Sequence, residues 1–263
     1  MNASKLLLII LFILTIKVGL CQIGPVNFID STFATSGISM LVSADLDNDG
    51  DDEIISSYTG SSGKLSYFEN LTNGDFSETM TVVDSVSFTT GVAVGDFNND
   101  GWKDLVAIGG INNEAWIYFN NEGSFSERDT LDSNISVLMN DVVVADFDLN
   151  NSDDIVIIGQ HSIDLYRNDG NGNFTKEIIL DTGSSGEPLE CLDLATADMD
   201  TDGDMDLVCA ETAGVVVYIN SGEAIFTPNY YSVISEVGWV IHPVDIDNDN
   251  DIGDRMNTGS GDV

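Results

Sequence analysis

The chain has 263 residues, of which 43% are hydrophobic, so it is long enough and apolar enough to bury a core. β-Branched and aromatic residues are plentiful, which argues against an intrinsically disordered chain. The 45 acidic residues outnumber the 8 basic ones, giving a net charge of −37, and no basic patch is present that could bind the phosphates of a nucleic acid.

The first 21 residues have the pattern of a secretory signal peptide. Lys5 precedes an apolar run from Leu6 to Ile16, and Gly19 and Cys21 are small residues before a cleavage point. An uncleaved membrane anchor is the alternative. No later apolar segment is long enough to span a bilayer. We therefore expect a mature chain of residues 22–263 that is secreted or displayed at the cell surface, with no membrane span after cleavage.

An acidic loop recurs about every fifty residues along the mature chain, and about half of the acidic residues lie in its copies. A fixed period of this length predicts a repeat architecture. Residues 22–263 hold four full repeats and the start of a fifth, so we expect the array of repeats to be truncated. The copies begin at Asp45, Asp96, Asp146, Asp198 and Asp245.

Each full repeat contains four short runs that are typical of β-strands. One apolar run precedes the acidic loop and another follows it. The third run carries an aromatic residue and ends in an asparagine before a glycine turn, and a phenylalanine opens the fourth. This pattern predicts an all-β fold, a β-propeller of four-stranded blades. The asparagines are Asn70, Asn120, Asn168 and Asn220, and the phenylalanines are Phe76, Phe125, Phe174 and Phe226.

The acidic loop has oxygen-bearing side chains at positions 1, 3, 5 and 9, a donor set that suits a hard cation such as Ca²⁺. Glycine or asparagine at position 6 permits a positive φ, and the backbone carbonyl at position 7 would add a ligand. The predicted calcium ligands are Asp45, Asp47, Asp49, Asp51 and Glu53; Asp96, Asn98, Asp100, Trp102 and Asp104; Asp146, Asp148, Asn150, Ser152 and Asp154; and Asp198, Asp200, Asp202, Asp204 and Asp206.

The fifth loop departs from this pattern. Asn250 replaces the glycine and Gly253 stands at position 9, so metal binding by Asp245, Asp247 and Asp249 is left open.

Two other interpretations of the loops were weighed. An EF-hand needs a glutamate at position 12 between two helices, whereas position 12 here is Ser56, Ala107, Ile157 or Cys209 and the flanks are strand-like. Acidic turns that bind no metal remain the alternative to calcium sites. After cleavage two cysteines remain, Cys191 and Cys209, on predicted neighbouring strands. Secretion permits a disulfide between them, and two buried thiols are the alternative.

One segment, Ile179–Ser184, looks like the signature of an aspartic protease. The turns at Asp84 and Asp132 occupy the same place in earlier repeats, and such a protease needs a second catalytic loop. We therefore interpret Asp181 as part of a repeat turn and expect no enzymatic activity.

The loop pattern, the period and the Tyr-x-Asn-x-Gly-x-x-Phe element together resemble FG-GAP/VCBS repeats, the blades of propellers like those of integrin α-subunits. The resemblance implies a calcium-binding propeller for adhesion or recognition outside the cell, with an extracellular protein or carbohydrate as partner. FG-GAP-like repeats also accompany enzymes, so the alternative is the non-catalytic repeat portion of a secreted hydrolase or polysaccharide lyase.

Overall fold

The computed structural model describes residues 38–58, 63–71, 76–77, 81–86, 88–110, 112–126, 128–133, 135, 139–159, 161–181, 191–211, 214–231 and 241–244. All of these belong to one compact unit that spans residues 34–263. The predicted signal peptide and the fifth acidic loop, including Asp245, Asp247 and Asp249, lie outside the described residues. Within the described part of the chain, no helix is both long and apolar enough to cross a membrane.

Regular secondary structure in the described residues consists of eighteen strands, of which sixteen form four antiparallel sheets of four strands each and two form a small hairpin. Each sheet is one predicted propeller blade, and its strands lie side by side in chain order. The first blade comprises β1 (Ile38–Ala44), β2 (Glu53–Tyr58), β3 (Leu65–Phe68) and β4 (Thr81–Asp84). The second comprises β5 (Thr89–Gly95), β6 (Asp104–Gly109), β7 (Glu114–Tyr118), a small hairpin of β8 (Asn120–Asn121) and β9 (Ser124–Phe125), and β10 (Asp129–Asp132).

The third and fourth blades follow the same plan. The third comprises β11 (Met139–Ala145), β12 (Asp154–Gly159), β13 (Ser162–Asn168) and β14 (Phe174–Asp181). The fourth comprises β15 (Cys191–Ala197), β16 (Asp206–Glu211), β17 (Gly214–Ile219) and β18 (Thr227–Tyr231). The prediction of an all-β propeller built from four-stranded blades is therefore confirmed.

In the second and third blades the second strand is apolar without alternation after its leading aspartate, because a neighbouring blade packs on each face of the sheet. All six residues of β6 and of β12 are buried. A short continuous apolar run of this kind is typical of a strand buried on both faces. The acidic loop thus connects an inner strand to the most buried strand of each blade.

The hydrophobic core lies between blades. One apolar cluster packs Phe147 and Ile158 of the third blade against Leu207 and Tyr218 of the fourth, and two further clusters join the first blade to the second and the second to the third. A single blade would leave both of its apolar faces in water. Each blade is therefore stabilised mainly by its neighbours, as in other repeat folds.

The prediction that a phenylalanine opens each fourth strand is wrong for two blades. Phe76 forms an isolated bridge with Asn70, and Phe125 lies in the small β8–β9 hairpin, so β4 and β10 begin several residues later. In the third and fourth blades the corresponding ring packs edge-on against the preceding acidic loop, with Phe174 5.8 Å from Phe97 and Phe226 5.8 Å from Phe147 between ring centroids. The rings of Phe174 and Phe226 thus contribute to the packing between successive blades.

The two cysteines of the fourth blade form a disulfide between β15 and β16, with Cα atoms 5.7 Å apart. They do not face each other directly, since Cys209 pairs with Leu194. An irregularity between Cys191 and Asp193 shifts the register of the two strands. The sequence left open whether these cysteines form a disulfide or remain two buried thiols, and the structure contains the disulfide.

Candidate metal centre

Each acidic loop connects the first and second strands of its blade and curls tightly, because two of its residues have a left-handed backbone conformation. The positive φ expected at position 6 is found, at 96° for Gly50, 88° for Gly101, 66° for Asn151 and 98° for Gly203. Position 4 also has a positive φ, which the sequence analysis missed. The residues there are Asn48, Asn99, Leu149 and Thr201, with φ from 56° to 61°. Leucine and threonine rarely adopt this conformation, so the loop imposes it.

The leading aspartate organises the loop through its carboxylate. In the second loop, Oδ2 of Asp96 accepts a hydrogen bond of 2.9 Å from the N–H of Gly101, and Oδ1 accepts one of 3.1 Å from Asp100. The third and fourth loops have both of these bonds as well, and the first has the bond from Gly50 to Asp45. Such bonds from side chain to backbone stabilise turns that lack a backbone ladder.

The acid at position 9 is buried in every described loop and connects the loop to the third strand. In the second loop, one oxygen of Asp104 accepts a bond of 2.9 Å from Phe97 N–H, and the other accepts a bond of 2.7 Å from Asn120 N–H. Burial raises the pKa of Asp104 to about 6 and that of Asp154 to about 7, while their backbone donors oppose the rise. Burial also raises the pKa of Glu53 and of Asp206.

Three of the four loops bring the acids of positions 1, 3 and 9 together, with ligand oxygens within 4.8 Å of one another. In the second loop position 3 is Asn98, whose amide can offer an oxygen. The position 5 residues lie outside these groups. Oδ1 of Asp49 and of Asp100 accepts the N–H of the position 7 residue, at 2.9 Å in both loops. The three groups are Asp45, Asp47 and Glu53; Asp146, Asp148 and Asp154; and Asp198, Asp200 and Asp206.

The remaining predicted ligands have other contacts. In the third loop, Asn150 Nδ2 donates to the carbonyl of Asn168, and Asp148 forms a salt bridge of 3.1 Å with Arg167. At position 7, Asp51 and Trp102 are half-buried, whereas Ser152 and Asp204 are buried. Because of the salt bridge to Arg167, a cation in the third loop would compete with the guanidinium of Arg167 for Asp148.

The donor set fits a hard divalent cation. Every candidate ligand is an oxygen, which is the ligand type that Ca²⁺ prefers. Oδ1 of Asp45 is buried and has no hydrogen-bond partner among the described residues. A buried carboxylate oxygen without a donor is costly, and a cation would satisfy it. These loops can hold a metal ion through Asp45, Asp47 and Glu53 and their counterparts.

Contacts between successive loops were not anticipated from the sequence. Nδ2 of Asn48 donates to the carbonyl of Gly101 at 3.2 Å, and Nδ2 of Asn99 donates to Oγ of Ser152 at 3.0 Å. Asp153 of the third loop accepts the N–H of Asp96 at 2.9 Å. The sequence gives no periodic signal for these pairs, because their chemistry differs from one junction to the next. The candidate metal loops are therefore in direct contact across blade boundaries.

The comparisons with known proteins agree with this architecture. The sequence pattern of a family described as FG-GAP-like repeat matches four overlapping segments, residues 45–107, 96–157, 146–209 and 198–252. No curated protein matches the chain.

Two solved structures have a similar fold. An Agrocybe aegerita lectin, described as recognising non-reducing terminal N-acetylglucosamine, is 19% identical with a TM-score of 0.55, over 73% of this chain and 51% of that one. BBS1N, crystallised in complex with ARL6DN, is 12% identical with a TM-score of 0.50, over 74% of this chain and 57% of that one. The chain thus spans little more than half the length of these structures.

Proposed function

Because the chain belongs to the FG-GAP-like repeat family, we propose that it is a secreted or cell-surface β-propeller that binds calcium in its acidic loops and acts as an adhesion or recognition module. The observation that carries the calcium proposal is the recurrence of three converging acids in the same place of three of the four blades. Carboxylates at such short distances repel one another strongly unless a cation lies between them. A pair at 4 Å costs about 4 kcal/mol at an effective dielectric constant near 20.

Thermal unfolding tests the calcium proposal. A ligand that binds only the folded state raises the melting temperature as its concentration rises above the dissociation constant. We expect a rise with Ca²⁺, a smaller one with Mg²⁺, which prefers a rigid octahedral site, and none in chelator. A variant with Asp45→Asn, Asp146→Asn and Asp198→Asn should lose most of the calcium response. An unchanged melting temperature at millimolar Ca²⁺ would mean that the acidic turns bind no calcium.

The proposal of export is supported by two features. The chain begins with a signal-like segment, and the fourth blade contains a disulfide, which persists in oxidising compartments. Expression with a C-terminal tag, followed by N-terminal sequencing of the protein in the medium, tests it. We expect the mature protein to begin at Gln22. Retention in the cell with an intact N-terminus would contradict export.

For the partner, we propose an extracellular carbohydrate or protein bound by loops of the propeller. Loops carry most binding sites on rigid β scaffolds. The Agrocybe aegerita lectin is similar to this chain in fold, so glycans are the first class of ligand to test. A glycan array probed with the calcium-loaded protein and with the protein in chelator is the direct experiment. Binding to no glycan in either state would favour a protein ligand.

We propose no catalytic role for the repeat turn at Asp181, which looks like an aspartic-protease signature, or for the corresponding turns at Asp84 and Asp132. The aspartates of the two earlier turns make contacts between blades. Oδ2 of Asp84 accepts from the hydroxyl of Tyr118 at 3.1 Å, and Oδ2 of Asp132 accepts from Tyr166 at 2.8 Å and from Lys176 at 2.8 Å. The chain can still be the repeat portion of a larger hydrolase or lyase. The full-length gene would decide this, by encoding either a catalytic domain or further repeats only.

A further inference from the structure

One carboxylate of the fourth loop is buried without a hydrogen-bond donor. Asp204, at position 7, is only 4% exposed, and its Oδ1 has no partner among the residues that the structure describes. Position 7 is expected to contribute its backbone carbonyl to the ion in the loop, so this side chain is left over from that site. A buried, charged oxygen without a donor needs a compensating group.

The third loop shows how the same position is satisfied elsewhere. Ser152 occupies position 7 there, and its hydroxyl accepts a bond of 3.0 Å from Nδ2 of Asn99, at position 4 of the preceding loop. At the next blade boundary position 4 is Leu149, which has no polar group. A Cβ added at Gly222 would lie 3.1 Å from Oδ2 of Asp204 and 3.4 Å from Cδ1 of Leu149, so both side chains border this turn. The residue that corresponds to the amide donor Asn99 is therefore a leucine at the boundary where Asp204 lies.

The carboxylate nearest to Asp204 makes its environment more negative. Asp202 lies within hydrogen-bonding reach of it, and the N–H of Asp204 donates to Oδ1 of Asp202 at 3.2 Å. The carboxylates of Asp206 and Asp200 add further negative charge around it. One divalent ion in the loop cannot neutralise the five acids between Asp198 and Asp206.

We propose that the fourth loop binds a second calcium ion, held by the carboxylates of Asp202 and Asp204 at the boundary between the third and fourth blades. This inference rests on the proposed function, because Asp202 bridges the second ion and the loop that holds the first. The donor set is again all oxygen, which suits Ca²⁺. At the preceding boundary no second ion is needed, because Ser152 and Asn99 satisfy each other.

Equilibrium dialysis of the full chain against saturating Ca²⁺, with the bound metal counted by mass spectrometry, tests this proposal. Asp204→Ser, which copies the third loop, should bind one calcium ion fewer than the wild type. Leu149→Asn, which keeps every acid and supplies an amide donor to Asp204, should also bind one fewer. Asp129→Ser, which removes an exposed aspartate of β10 outside the acidic loops, is the control and should bind as many ions as the wild type.

The outcomes separate this inference from the proposed function. Equal calcium counts for the wild type and Asp204→Ser would overturn the second site and leave the loop sites intact. A loss of two ions in Asp204→Ser would also overturn it, because Asp204 would then support the ion in the loop. No bound calcium in the wild type would overturn the proposed function itself. Thermal unfolding in chelator checks that each variant folds. If Asp204→Ser does not fold, Leu149→Asn still tests the second site, because it keeps every acid.

Discussion

Asn120, which begins the small β8–β9 hairpin after the third strand of the second blade, donates a hydrogen bond of 2.7 Å from Nδ2 to the carbonyl of Leu46 in the acidic loop of the first blade. The same bond recurs from Asn168 to Phe97 and from Asn220 to Phe147. All three asparagines are buried. This asparagine thus fixes each of the first three candidate metal loops to the next blade, which connects loop geometry to the packing of the blades.

Replacing Asn168 with alanine should destabilise the protein by about 2 to 3 kcal/mol, because buried carbonyls lose their donor. Nδ2 of Asn168 donates to the carbonyls of both Phe97 and Asp153. Urea unfolding measures the change. The control is Asn171→Ala, in the exposed turn that follows, which should cost less than about 0.5 kcal/mol. Equal effects for the two variants would mean that the asparagine does not fix the loop.

Removing the guanidinium of Arg167 should strengthen calcium binding by the third loop. Arg167 pairs with Asp148 at 3.1 Å and with Glu177 at 3.0 Å, so a cation must displace it from Asp148. We expect Arg167→Met to raise the calcium affinity of one site by about threefold to tenfold, since a partly buried ion pair is worth roughly 1 kcal/mol. Calorimetric titration measures this. Arg128→Met, which removes a guanidinium from Asp84 instead, is the control and should leave calcium affinity unchanged.

Stability in chelator should depend on pH through a pair of acids that joins the third and fourth blades. Oδ2 of Asp141 accepts the N–H of Leu194 at 3.0 Å, and Oδ2 of Asp193 accepts the N–H of Ile241 at 2.6 Å. Burial, together with the neighbouring carboxylate of Asp193, raises the pKa of Asp141 to about 7, although two backbone N–H donors oppose the rise. The folded state therefore holds a proton that the unfolded chain has released, so the stabilisation is full below about pH 4 and is lost as pH rises through about 7.

Asp141→Asn mimics the protonated acid and should remove this dependence. At pH 8 the variant should be more stable than the wild type by a few kcal/mol, and the difference should shrink towards pH 4. Urea unfolding across this range, in chelator, measures it. The exposed residue Asp129 provides the control, and Asp129→Asn should follow the wild type at every pH. A constant difference between Asp141→Asn and the wild type would contradict a proton on Asp141 in the folded state.

Reduction of the disulfide should lower stability by about 3 kcal/mol. The bond between Cys191 and Cys209 spans 18 positions of the sequence, and a cross-link of this span restricts the unfolded chain by roughly that amount. Urea unfolding with and without reductant measures the effect. The double variant Cys191→Ala and Cys209→Ala should be insensitive to reductant. A wild type that unfolds at the same urea concentration in both conditions would show that the bond does not contribute.

Much of the fold could be predicted because the repeat multiplies each local signal. A single acidic turn is ambiguous, but acids at fixed offsets in successive copies, each between two apolar runs, indicate a strand–loop–strand unit. The positive φ at position 6 followed from the glycines at Gly50, Gly101 and Gly203. The positive φ at position 4 could not be predicted, because Leu149 and Thr201 have no local preference for it and adopt it only as part of the closed loop.

The sequence by itself determined the blade plan, the position of the acidic loops and the oxygen character of their ligands, because these depend on the order and chemistry of residues close together in the chain. The tertiary structure alone decided which groups meet across blade boundaries. The donor of Asn120 reaches Leu46, 74 positions away, and the side chains of Asp204 and Leu149 border the same turn at Gly222. Such contacts depend on how one sheet packs against the next, and packing is set by the whole buried surface between two blades rather than by any local pattern.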